Sequence, residues 1–208
     1  PPLIDKINQI KVNADHHDRL VKAIEIAKKK PKAILLGSSR VLLGLEAHDV
    51  QAITGIETYN AGLRGATFEE IYHYFEHALY HQPDLKVVVV GLDFCGFNQH
   101  MHPQSGFRVD RLKTNCWRDV YASLLTFHAL KSSFQTVKAN FFSNKRKEHN
   151  EIVLKGDAAF LKTTLRYDYN KYRHDPKRIE MFQKMVSICH ERSIDLKFFF
   201  VPLKAVYW

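Results

Sequence analysis

AILLGSSRVLLGL, residues 33–45, opens as an unbroken apolar run and stops at Gly37-Ser38-Ser39-Arg40. A short run with no polar alternation fits a parallel strand buried on both faces. Two readings follow for the serines. They cap a helix that leaves the strand, a favoured role for Ser, or one of them is a nucleophile set at the sheet edge.

The surrounding chain favours a parallel sheet. DHHDRLVKAIEIAKKK (15–30) reads as a helix with Leu20, Ile24 and Ala27 on one face. Lys28, Lys29 and Lys30 fall in its last turn, where cations complement the helix dipole, and Pro31 stops it. IETYNAG (56–62) reads as a second strand, followed by a capping box at Thr67 and Glu70. A helix runs from there through His81, with Phe68, Ile71, Tyr72, Phe75 and Leu79 at helical spacing. LKVVVVGLD (85–93) is a β-branched run that belongs at the centre of a sheet. Residues 94–116 are irregular, and helical patterns appear over 117–124 and 130–141. The polar tract 143–151 reads as a loop. Asp175-Pro176 starts a helix with Ile179, Phe182, Val186 and Cys189 on its apolar face, and LKFFFVP (196–202) is a fourth strand. Strands alternating with helices predict one flavodoxin-like, three-layer α/β/α domain over 1–208, with a mostly parallel sheet and a helical insertion at about 99–174.

Bulk properties narrow the function classes. The chain has 208 residues, 45% of them apolar, enough for a real core. Its formal net charge is +9, but Lys and Arg are scattered, with short clusters only at 28–32 and 145–147. That pattern reads as an ordinary basic surface, and no zinc-finger spacing or stacking platform points to nucleic acid. Cys95, Cys116 and Cys189 are odd in number and widely spaced, which fits buried free thiols better than a disulfide framework. No apolar run approaches the roughly 18 residues of a membrane span. His100-Met101-His102 has a zinc-compatible spacing without a third ligand in register, so no metal site is expected; His16-His17 reads as an exposed helix face.

In a parallel sheet, ligands bind outside the carboxyl ends of the strands. Three polar clusters lie there: Ser38-Ser39-Arg40, Gly62 to Thr67, and Gly91 to Asn98. With these clusters the chain resembles the SGNH (GDSL-like) hydrolase superfamily over roughly residues 33–98. That family places its nucleophile third in a Gly-Asp-Ser block after the first strand. Here the block is Gly37-Ser38-Ser39, so the resemblance implies Ser39 as the catalytic residue. Gly-Ser-Ser and Gly-Thr-Ser blocks occur in relatives that modify cell-envelope polysaccharides. The second block, an Asn and then a Gly that donates to the oxyanion, is similar to NAGLRGAT (60–67) and implies Gly65. The third, Gly-x-Asn-Asp, stands here as Gly91-Leu92-Asp93-Phe94, with Asp93 in the place of the second oxyanion donor. An ionised carboxylate only accepts, and Asn98 is a nearby substitute. Arg40 is a candidate for binding a substrate carboxylate or phosphate, or for pairing with a local acid. The fourth block, Asp-x-x-His, has no counterpart, because neither His174 nor His190 has an Asp three residues before it. The expectation is that the full protein continues past Trp208 with the segment carrying the base, and that this fragment is inactive.

The resemblance implies a serine esterase or O-acyltransferase acting on acylated carbohydrate or a small ester, with no cofactor. By analogy it also implies a cell-envelope or periplasmic setting and an N-terminal membrane anchor. Two alternatives stand beside it: a non-catalytic carbohydrate-binding relative, which Asp93 favours, and a phosphate- or nucleotide-binding α/β domain. The second alternative needs a Gly-rich loop running into a helix, and only Gly37 precedes Ser38.

Overall fold

The computed structural model describes residues 18–113 and 172–201. Four parallel strands form its sheet: β1 (Ala33–Leu36), β2 (Thr58–Asn60), β3 (Val87–Leu92) and β4 (Asp195–Phe200), in the spatial order β2-β1-β3-β4. Helices α1 (Asp18–Lys29), α2 (Ser39–Gly44), α3 (Ala47–Thr54), α4 (Phe68–His81), α5 (Val109–Lys113) and α6 (Pro176–Glu191) surround it, with one 3-10 turn at Phe94–Phe97. The architecture is the expected α/β three-layer fold. The expected helices over 117–124 and 130–141, the loop at 143–151, Cys116 and His16-His17 lie outside the described residues.

The strand order fixes the layers. The chain steps from β1 to β2 in one direction across the sheet, and from β2 past β1 to β3 in the other. Parallel crossovers are right-handed, so the α2–α3 connection and α4 cover opposite faces. The α6 crossover to β4 continues in the second direction and joins α4. One face therefore carries α1, α4 and α6 over a core of Ile34, Leu36, Val88, Val90, Phe75, Met185 and Cys189. On the strands, Ile34 and Leu36 alternate with Ala33 and Leu35, and all four are fully buried. That is why 33–36 shows no polar alternation. β3 is central, paired to β1 on one side and β4 on the other, as its valine run implies.

Local chemistry places the helix ends. Thr67 caps α4 by accepting from Glu70 N, while Glu70 Oε2 accepts from Thr67 N at 2.9 Å, so the expected capping box is present. Glu70 is fully buried, and its other oxygen accepts from Arg19 Nε at 2.7 Å. Arg19 also donates to Arg64 O at 2.9 Å, which ties α1 to the loop after β2. Asp175 caps α6 through Lys177 N.

Two local expectations change. The helix capped by a serine after β1 is present as α2, whereas α3 at Ala47–Thr54, and the 3-10 turn and α5 within the stretch 94–116 read as irregular, are elements the sequence does not announce. The reason is visible in α3, which buries no residue and so carries no apolar stripe to read. On α6 the core-facing residues are Met185, Cys189 and the half-buried Phe182, with Arg178 also buried, while Ile179 and Val186 are exposed. The stripe is rotated because Arg178 turns inward to bind the carbonyls of Gly96, Asn98 and Met101.

His77 and His81 lie one turn apart on α4 with ring centroids 4.5 Å apart. His77 is buried between two backbone carbonyls, those of Leu112 and Ala23, at 2.8 and 2.9 Å. His81 Nε2 is buried without a partner. Desolvation, then the neighbouring His77 and Lys30, hold the His81 imidazole down at about 4. Between that value and the ordinary one near 6.5 the unfolded chain binds a proton that the native state refuses. Stability therefore falls as pH drops from about 6.5 towards about 4. Urea unfolding across that window should show the loss, and His81→Gln should make it shallower. An unchanged pH slope in His81→Gln would refute this assignment.

Candidate functional site

The order β2-β1-β3-β4 puts the topological switch point between β1 and β3, because the chain leaves those neighbouring strands towards opposite sides. Ligand crevices of open α/β sheets form at that place. Ser38, Ser39 and Arg40 leave the carboxyl end of β1, and Asp93 follows the last residue of β3.

Three glycines let the strand-end segments approach one another. A Cβ on Gly62 would lie 2.6 Å from Leu42 N and 2.8 Å from Leu42 Cα, so the loop after β2 rests on the backbone of α2. A Cβ on Gly37 or on Gly91 would collide with Val41 Cγ2, and the one on Gly37 would also lie 3.1 Å from Gly91 O. Val41 is fully buried, filling the space that those two positions leave. Two polar links complete the joint. Leu63 N donates to Gly37 O at 3.0 Å, and Asn60 Nδ2 donates to Val41 O and Leu45 O at 3.0 and 2.7 Å. Asn60 Oδ1 accepts from Gly62 N at 2.8 Å. The Asn of the second block is thus the clip that holds the end of α2.

Ser38 and Ser39 have different roles. Ser38 is the N-cap of α2, accepting from Arg40 N, and its hydroxyl donates to Asp93 Oδ2 at 3.1 Å. Ser39 is the first helical residue and half-buried, and its hydroxyl makes no hydrogen bond to a described residue. Its backbone N–H is one of the donors that a helix start leaves over. Gly65 is exposed in the left-handed region, at φ 59°, with Gln104 nearby, and its N–H likewise donates to no described residue. No histidine among the described residues is hydrogen-bonded to Ser39.

Arg40 Nη1 donates to Asp93 Oδ2 at 2.7 Å, with side chains 29% and 10% exposed. Arg40 thus pairs with a local acid, one of the two roles expected for it. Asp93 Oδ2 accepts from one guanidinium and one hydroxyl, while Oδ1 is buried without a partner. Sequence reasoning did not connect Ser38 to Asp93. The available signal was the pair of opposite charges at the ends of two strands that the apolar runs place side by side.

Asn98 is fully buried and serves as a pin. Its Oδ1 accepts from His100 N and Arg173 N at 3.2 and 3.3 Å, and it bridges to His174. His100 and His102 are exposed in the following segment, and no cluster of three or more potential metal ligands occurs among the described residues. A shallow hollow lined by His73, Glu76, His77, Tyr80, Leu112 and Lys113 belongs to α4 and α5, not to the strand ends. Cys95 and Cys189 are both buried, and burial raises the Cys189 thiol to about 11, which suppresses its reactivity.

The glycine contacts make a graded prediction. Gly91→Ala should cost about 1–3 kcal/mol, as overpacking does, and Val41→Ala should relieve most of that in a double-mutant cycle. Gly62→Ala should cost at least as much and gain nothing from Val41→Ala, because its clash is with backbone. Denaturant unfolding of the five variants measures this. Equal rescue of both glycine variants would contradict the packing described.

Compared with protein-family models, with curated proteins and with solved structures, the chain finds no match in any of the three.

Proposed function

We propose that this chain is an SGNH-like serine esterase or O-acyltransferase domain acting on acylated carbohydrate. The observation that carries the reading is the place of Ser39: first residue after the β1 turn, beside the β1–β3 switch point, with its hydroxyl uncommitted among the described residues. Ser39 Oγ would attack the acyl carbonyl, and the Ser39 and Gly65 N–H groups supply the donors for the developing oxyanion. Asp93 does not donate there. It anchors Arg40 and Ser38, which stiffens the turn bearing the nucleophile.

A serine also needs a general base, worth about 10²–10⁴ in rate. The histidine that the family supplies from its fourth block is not identified among the described residues. The proposal therefore includes a base outside them, and a setting in the cell envelope follows from the resemblance alone. Among the described residues no helix is long and apolar enough to cross a membrane. The second reading, a non-catalytic carbohydrate-binding relative, draws on Asp93, whose carboxylate replaces a donor with an acceptor.

Turnover of p-nitrophenyl acetate and release of acetate from an acetylated polysaccharide test the first reading. The 208-residue chain should be slow, and the same chain supplied with an Asp-x-x-His segment should be faster by about 10²–10⁴. Ser39→Ala should abolish either rate. A rate that survives Ser39→Ala removes the nucleophile assignment. Absence of turnover in every form, with polysaccharide still bound, supports the binding relative instead.

A further inference from the structure

We propose that the Arg40–Asp93 pair is a charge-neutral clamp that binds a hydroxyl group of the ligand, with Asp93 Oδ1 taking the hydroxyl hydrogen and Arg40 donating to an adjacent oxygen. This rests on the ligand lying in the β1–β3 crevice, as in the proposed function, and not on the reactivity of Ser39.

The argument is an accounting of charge and of hydrogen bonds. Asp93 Oδ2 takes both local donors, Arg40 Nη1 at 2.7 Å and Ser38 Oγ at 3.1 Å. Oδ1 is buried and takes none. A buried acceptor without a donor is an exception that calls for a reason. What Oδ1 lacks is a donor, not a counter-charge, because Arg40 already balances the carboxylate. A cationic ligand would meet Arg40 and gain little. An anion would meet Asp93. A neutral O–H supplies the missing donor and disturbs neither. The guanidinium has five N–H donors, of which one is used in this pair, and its side chain is 29% exposed. Oδ1 is closed to bulk water, so the hydroxyl enters as the partly exposed Arg40 side chain turns about its bond to Oδ2. The resulting polarity is opposite to that of an Asn at this position, which would offer a donor.

Three probes separate the alternatives by NMR titration of the backbone amides of Ser38, Ser39, Arg40, Asp93 and Phe94. Glycerol donates and accepts, 1,2-dimethoxyethane only accepts, and inorganic phosphate is an anion. The wild-type chain should bind glycerol about tenfold or more tightly than dimethoxyethane at these amides, and phosphate should shift them little. In Asp93→Asn, Arg40 and Ser38 keep the carbonyl oxygen, so an amide NH₂ replaces Oδ1. Its glycerol preference should fall towards parity, and phosphate should now bind beside the unbalanced Arg40. Parity of glycerol and dimethoxyethane in the wild type, or phosphate binding there as tightly as glycerol, overturns the clamp. A folded Asp93→Asn with an unchanged preference does so too. If that variant does not fold, the wild-type ratio and the location of its shifts decide. Loss of the Ser39-dependent turnover alone would sink the catalytic reading and leave the clamp standing, while parity with intact turnover would do the reverse.

Discussion

Close backbone approach at the carboxyl ends of β1, β2 and β3 is the constraint on which the rest of the site depends. Gly62 lets the loop after β2 lie on the backbone of α2, and Gly37 and Gly91 leave the space that Val41 fills. With side chains at those positions, α2 would be pushed off the sheet and Ser39 with it. Such a joint has little compliance, because the interior is packed close to crystal density and transmits displacement. The polar links then have short distances to span. Asn60 reaches the carbonyls of Val41 in α2 and of Leu45 just past its end, and Leu63 reaches Gly37. Packing sets the position of the turn, and hydrogen bonds select its conformation.

The same joint explains why a buried carboxylate is tolerated at the end of β3. Removing a charge from water costs several kcal/mol unless it is paired and hydrogen-bonded. Asp93 is nine-tenths buried, and it has Arg40 and Ser38 on one oxygen. Both partners come from the start of α2, whose place is fixed by Val41. An Arg on an independently mobile loop would give the carboxylate a weaker partner, since ordering it would cost side-chain entropy. Here the stem leaves a helix already held to the sheet, so less side-chain entropy is lost in forming the pair.

Legibility in the sequence followed burial. β1 and β3 could be read because both faces of each are covered, and a short unbroken apolar run between turn signals fits little besides a buried strand. The capping box at Thr67 and Glu70 and the Asp175-Pro176 helix start could be read because those signals are local. α3 could not, because it buries nothing and leaves no periodic trace. On α6 Phe182 and Cys189 face the core as read, whereas Arg178 and Met185 stand in for Ile179 and Val186, and a periodicity reading has no way to count a buried cation as core. The strand-end clusters were legible as clusters, whereas their internal wiring was not. Ser38 to Asp93 spans 55 residues, and nothing in either segment alone says which of two adjacent serines makes the bond.

Two buried arginines show that the pattern recurs in this fold. Arg19 from α1 binds Glu70 and the carbonyl of Arg64, and Arg178 from α6 binds the carbonyls of Gly96, Asn98 and Met101. Each crosses from a helix to a loop that follows a strand end, the first after β2 and the second after β3. Loops of this kind have few apolar contacts to hold them, so their order must come from elsewhere. A guanidinium is suited to the task, since its planar fork satisfies several carbonyls at once without losing its charge. Arg40 differs from both in two respects. Arg19 and Arg178 are almost wholly buried and committed to the scaffold, whereas Arg40 is partly exposed and shares its acid with an unpartnered oxygen. The fold thus uses the same chemistry twice to hold loops still and once at the switch point, where one carboxylate oxygen keeps no partner.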